Sequence, residues 1–237
     1  PHESTRANQA ELDHIAAGGG MVTQAAAQSR RFEWRLARAL LKDRRMIGIC
    51  LGQFAGNSTL VFFLTWFPTY LAKERHMAWI KIGFFAMLPF IAASAGVLFG
   101  GWWSDRLLRQ GRSPSVARKL PIIAGLLGAS VIIAANYVDD NGTVIAILSI
   151  AFFAQGMAAL GWTLVSDIAP AGLLGLTGGI FNFAANLAGI ITPLVIGFIV
   201  AATGSFFGAL LFVGILALVG ALSYILVVGE VKRIELA

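Results

Sequence analysis

Six apolar runs dominate the chain, at about 46–72, 82–104, 120–138, 143–166, 173–202 and 206–228. Each has roughly the 20 residues that carry an α-helix across hydrocarbon. Inside a bilayer a backbone N–H or C=O finds no water, so a spanning segment must close its hydrogen bonds within itself, as a helix does. Composition excludes the soluble alternative. Charged residues make up 13% of the chain and hydrophobic ones 57%, whereas an ordinary soluble domain is about 25% charged. The expected fold is an all-α polytopic membrane protein with six transmembrane helices. The connections are short, so neighbouring helices run antiparallel, and an even number of spans returns both ends to one side.

Charge sets the orientation. Residues 100–119 form a short connection holding Arg106, Arg109, Arg112, Arg118 and Lys119 against one acid, Asp105. Segments this basic stay in the cytoplasm. With that side fixed, fifteen of the eighteen Lys and Arg residues fall on cytoplasmic segments, and only Lys73, Arg75 and Lys81 fall opposite. The net charge of +6 is therefore loop bias rather than a nucleic-acid footprint. The expected organisation is a cytoplasmic segment over 1–45, a six-helix bundle over 46–228 and a cytoplasmic tail over 229–237. In the first segment, Glu11, Leu12, Ile15 and Ala16 suggest one amphipathic turn. Residues 18–20 read as a flexible linker, and Arg30, Arg31, Arg35, Arg38, Lys42, Arg44 and Arg45 crowd before the first run. This segment has no cleavable signal-peptide pattern, and a start at Pro1 rather than Met suggests a fragment. Trp66, Tyr70, Trp79, Trp102, Trp103 and Tyr137 fall near span ends, where aromatic belts form.

Gly48, Gly52 and Gly56 repeat at every fourth position, as do Gly96 with Gly100 and Gly175 with Gly179. This spacing predicts close helix packing. Pro68, Pro89 and Pro193 predict kinks within spans. Cys50 is the single cysteine and reads as a small buried hydrophobe.

All twelve acids, three histidines and eighteen cations lie outside the apolar runs. Ionisable groups inside a bilayer are the usual sign of an ion path, so a proton relay is not expected in this stretch. Nor does the sequence offer a metal cluster, a cofactor motif or a histidine to serve an intramembrane serine, so an enzyme is not expected. What the runs do contain is amides. Gln53 and Asn57 share a face of the first run, Asn182 and Asn186 share a face of the fifth, and Gln155, Trp162 and Thr163 lie on the fourth. Asn57, Gln155 and Asn186 lie near mid-depth. Amides in hydrocarbon are costly unless paired. Two explanations compete: they bond one another between helices, or they line a wet cavity that takes a polyhydroxylated solute, with Trp162 against its carbon skeleton.

Gly101, Asp105, Arg106 and Arg109 resemble the conformational loop motif of the major facilitator superfamily of transporters. The stretches 52–70, 161–170 and 178–186 are similar to the anion:cation symporter family within it, and particularly to its bacterial glucarate/galactarate branch. The resemblance implies that the six spans are helices seven to twelve, led by the central cytoplasmic loop. It further implies alternating access in the bacterial inner membrane and symport of sugar-acid anions with protons. The proton-titrating carboxylates and the substrate-carboxylate arginine belong to a first six-helix half, which is missing here, and Asp105 and its arginines would latch against a helix of that half. The substrate-binding set expected from residues and resemblance together is Gln53, Asn57, Ser58, Gln155, Trp162, Thr163, Asn182 and Asn186. Expected partners are a sugar-acid anion of the glucarate/galactarate class, protons, membrane lipids and the missing half. The competing reading is a non-transporting membrane module, or the relic of a truncated transporter gene.

Overall fold

A computed structural model of the chain describes residues 8–17, 34–170 and 172–235. The chain divides into two compact units, Pro1–Leu36 and Ala37–Ala237. The first holds α1 (Gln9–Ala17), which covers the amphipathic turn expected there. Residues 18–20, Arg30 and Arg31, where the sequence predicts a linker and the start of the basic cluster, lie outside the described residues.

Among the described residues, six helices are long and apolar enough to cross a membrane, and there is no strand. An amphipathic helix, α2 (Trp34–Lys42), precedes them. The first span is α3 (Arg44–Thr65) continued by α4 (Phe67–Lys73). The second is α5 (Trp79–Phe85) with α6 (Met87–Arg109), and the third is α7 (Pro114–Ala129) ending in a 3₁₀ segment, Ser130–Tyr137. The fourth is α8 (Asn141–Met157), a 3₁₀ turn at Ala158–Leu160, and α9 (Gly161–Ile168). The fifth is α10 (Leu174–Thr203), and the sixth is α11 (Phe207–Leu222), which closes in a π-turn at Ser223–Val227.

The helices outrun the apolar stretches. Asp105, Arg106 and Arg109 occupy the last turns of α6, Arg118 and Lys119 lie early in α7, and Asp167 is near the end of α9. The motif expected in a loop is therefore helical, and the connection itself is only residues 110–113. Backbone hydrogen bonds continue past the hydrocarbon while charged side chains reach headgroups and water. Ser113 and Asp140 start α7 and α8 by accepting the N–H groups of Val116 and Thr143. Two of the three expected kinks coincide with helix breaks, at Trp66 before Pro68 and at Ala86 before Pro89. Proline lacks an N–H and is best tolerated in a first turn. Pro193 instead stands inside an unbroken α10.

The ends of the bundle are tied by polar contacts. At one end Glu74 accepts the Ser205 hydroxyl at 2.8 Å and the Phe206 N–H at 3.2 Å, while Arg75 donates to Asn141 at 2.9 Å. At the other end the tail lies across three helices. Val231 N–H donates to Ser115 Oγ, Ile234 N–H to the Ile168 carbonyl, and Arg45 to the Lys232 carbonyl. Aromatics divide between core and belt. Trp79 and Tyr137 are exposed as a belt requires, but Tyr70 is 2% exposed and meets Phe206 edge-on at 5.6 Å. Trp66 also packs on Phe206. Tyr70 is therefore core rather than belt, and Trp66 is half-buried against the same core.

Glycine sets the closest crossings. A Cβ on Gly96 would collide with the Phe153 carbonyl oxygen, and one on Gly156 with the Ala93 carbonyl oxygen, so α6 and α8 meet backbone to backbone. Gly48 and Gly52 lie equally close to Val228 and Tyr224. A Cβ on Gly175 or Gly179, expected to pack in the same way, would meet nothing within 4 Å beyond its own helix. Gly96→Val should therefore cost about 1–3 kcal/mol through overpacking. It should lower the unfolding temperature of the detergent-purified protein, and Gly179→Val should leave it unchanged. Equal effects of the two substitutions would contradict this packing.

Candidate functional site

Gln53 and Asn57 lie one turn apart on α3 and face the fourth span where that span breaks. The 3₁₀ turn at Ala158–Leu160 interrupts the regular ladder between α8 and α9. It directs Gln155 from one side and Trp162 from the other toward α3. In the sixth span, Ser223 donates its hydroxyl to the Gly48 carbonyl at 2.6 Å, and the π-turn that begins there sets the Tyr224 ring against Gly52. π-turns often mark functional positions. Together these elements enclose a cavity of about 300 Å³, floored by Gly52, Gly56 and Tyr224 and walled by Gln53, Asn57, Gln155 and Trp162. Ala93 and Val97 of α6 complete the wall.

The cavity's polarity lies entirely in uncharged groups. No acid or base is among its lining residues. Asn57 donates its amide to the Ala185 carbonyl at 2.6 Å, which ties α3 to α10 and leaves Oδ1 as an open acceptor. Gln155 Oε1 is buried with no hydrogen-bond partner. Gln53 and the Tyr224 hydroxyl form no hydrogen bond with a described residue. Trp162 holds its ring edge-on to Phe181 at 5.0 Å and is 49% exposed, which leaves a face for a ligand. The arrangement thus presents amide and hydroxyl donors and acceptors to one small space, with an aromatic wall beside them.

The remaining candidates lie elsewhere. Ser58 is fully buried, donates to the Phe54 carbonyl and accepts from Thr192 at 2.9 Å. Thr163 donates to the Leu160 carbonyl at 2.6 Å, so its hydroxyl stabilises the 3₁₀ turn. Asn182 and Asn186 are exposed on α10 and bond along their own helix, Asn186 Nδ2 donating to the Asn182 carbonyl at 2.8 Å. Ala185 and Ala188 take the face against α3, and an α-helix turns each next residue by about 100°, which carries Asn186 off the cavity wall. The expected mid-depth set of three therefore converges only at Asn57 and Gln155. Tyr224 escaped the sequence reading, although Ser223 and Tyr224 are the only polar side chains in the last apolar run.

At the tail end of the bundle, Arg118 sits between two acids, 3.9 Å from Asp105 and 3.6 Å from Asp167, and donates to Ser104 at 3.1 Å. Arg106 lies over the Trp102 ring, Arg109 donates to the Asp105 carbonyl, and a Cβ on Gly101 would meet nothing within 4 Å beyond its own helix. Among the described residues no group of His, Cys, Asp and Glu is placed to hold a metal ion.

Six apolar helices, five of which line an uncharged polar cavity, define a multi-pass membrane protein. Residues 2–193 match the family described as Major Facilitator Superfamily. The chain belongs to that superfamily, as one six-helix half of its fold. It is 48% identical over 230 residues to a D-galactonate transporter of Escherichia coli, covering 96% of this chain and 53% of the relative. It is 45% identical over 239 residues to a probable galactarate/D-glucarate transporter of Bacillus subtilis, covering 100% and 52%. A hexuronate transporter of Bacillus subtilis is 34% identical over 189 residues, covering 78% and 45%. The chain spans about half the length of the curated relatives it matches, and they make it a bacterial multi-pass membrane protein of the transporter class rather than a catalytic domain.

An unpartnered buried amide costs stability, on the order of 1–3 kcal/mol. Gln155→Met keeps the volume and removes the orphaned oxygen, so it should raise the unfolding temperature of the ligand-free protein. A fall would show that Gln155 serves packing instead.

Proposed function

We propose that the chain is the C-terminal half of a proton-coupled symporter that takes up sugar-acid anions, with D-glucarate, galactarate and galactonate as the substrate class. It works by alternating access in the bacterial cytoplasmic membrane, with both ends of the chain in the cytoplasm. One observation carries this reading: a buried, unpartnered Gln155 amide faces an uncharged cavity shared with Gln53, Asn57 and Tyr224. Such a site suits the hydroxyls of a polyhydroxylated acid. A carboxylate brought there would lose its hydration without meeting a positive charge, which is strongly unfavourable. The carboxylate-binding cation and the titrating acids are therefore assigned to the N-terminal half of a protein of the relatives' length. Gln53, Asn57 and Gln155 hold substrate hydroxyls, and Trp162 packs on the carbon skeleton. Ser58 and Thr163 shape the site from behind, while Asn182 and Asn186 line the approach. Gly101, Asp105, Arg106 and Arg109 latch the two halves on the cytoplasmic side. Residues 1–45 connect the halves, residues 229–237 form the cytoplasmic tail, and Val231, Lys232 and Ile234 of that tail clamp the cytoplasmic end.

The likeness to a D-galactonate transporter and to a probable galactarate/D-glucarate transporter favours this class of substrate. The charge bias favours the orientation. In the full-length transporter carrying this chain, Gln53→Ala and Gln155→Ala should each weaken uptake of labelled sugar acid by about ten- to hundredfold in affinity, the loss of one hydrogen bond to a hydroxyl. Both variants should remain in the membrane at normal levels. Unchanged uptake in both would contradict the assignment.

A further inference from the structure

A second concavity lies on another flank of α3. It is an apolar groove of about 250 Å³, walled by Leu41 of α2, by Ile47, Cys50, Leu51 and Phe54 of α3 and by Leu187 of α10. On α3 the groove residues and the cavity residues Gln53, Asn57 and Leu60 are centred roughly 110° apart. α10, bonded to α3 through Asn57 and Ala185, stands between the two. The groove is thus separate from the polar cavity.

Three observations identify its occupant. The wall offers only apolar and thiol side chains, and Leu41, Ile47 and Leu51 are exposed, so the groove takes hydrocarbon. Its depth fits one leaflet: Phe54 lies about 15 Å of helical rise from Arg44, half the thickness of a bilayer's hydrocarbon core. The helix that lends Leu41 to its wall is positive. Arg38 and Lys42 are exposed one turn apart on the same face of α2, and neither bonds to a described residue. The acid beside them, Asp43, is held by Arg45 at 2.8 Å. An amphipathic helix that lends Leu41 to a leaflet-deep apolar groove and carries exposed cations within a turn of that residue matches an anionic lipid in both of its parts.

We propose that this groove holds an acyl chain of one anionic phospholipid, whose phosphate rests between Arg38 and Lys42. The lipid packs on the α3–α10 pair, the pair that also carries Asn57.

Native mass spectrometry of the full-length transporter carrying this chain, purified in mild detergent, tests this. The wild type should retain phosphatidylglycerol in preference to phosphatidylcholine. Removing the charges in the Arg38→Gln, Lys42→Gln double variant should reduce retention by about fivefold per cation. Leu187→Trp, which fills the groove and leaves the charge alone, should also reduce it. Equal retention of the two lipids by the wild type, or wild-type retention of phosphatidylglycerol in both variants, would overturn the proposal. So would displacement of the lipid by glycerol phosphate, which would mark a site for free phosphate. The polar cavity is untouched by these changes, so the outcome is independent of the transport reading.

Discussion

The approach of α6 and α8 at backbone distance is the constraint on which the rest of the bundle depends. Lipid tails are as apolar as leucine, so helices in a membrane gain little from hydrophobic burial against one another. They associate through close van der Waals packing and a few hydrogen bonds. Gly96 and Gly156 supply the closeness here, each occupying the space in front of a carbonyl oxygen of the facing helix. With α8 held in that way, the 3₁₀ turn that follows it lies beside α3, and Gln155 and Trp162 come to face Gln53 and Asn57. The cavity is a consequence of where two glycines let two helices touch.

Its chemistry follows from what hydrocarbon tolerates. A lone charge at this depth costs several kcal/mol or more, whereas an amide costs less and offers both donors and acceptors. The cavity uses three amides and one phenol, of which only Asn57 has a protein partner. Ser58 and Thr192 show the contrasting arrangement. Ser58 and Thr192 bond each other in the core, and that pair serves packing. Gln155 differs from that pair in both respects, since its oxygen is unpaired and its side chain lines the cavity.

Much of this architecture was legible in the sequence. Apolar run length gave six spans, because run length and helix rise are tied by the thickness of the bilayer. The pairing of Gln53 with Asn57 followed from helical spacing alone. Asn186 shows where spacing fails: it shares a face with Asn182, but which face α10 turns toward α3 is decided by Ala185 and Ala188, and nothing local announces that. Gly175 and Gly179 repeat the spacing of packed glycines, yet a Cβ on either would meet nothing within 4 Å beyond its own helix, since the motif describes one helix and packing needs two. Tyr70 looked like an interfacial aromatic but is core, edge-on to Phe206. Tyr224 was hidden because its exposure to the cavity depends on a π-turn that shifts the register of the last helix.

The central claim is that this half reads hydroxyls and leaves charge to be read elsewhere. Binding of galactarate and of its uncharged polyol analogue, galactitol, to the purified chain measures it directly, by saturation-transfer NMR across a concentration series. The account predicts weak binding of both, with dissociation constants within about threefold of each other, a difference of roughly 0.6 kcal/mol. Galactarate binding tenfold or more tighter than galactitol would place a charge-reading group inside this bundle and contradict the account.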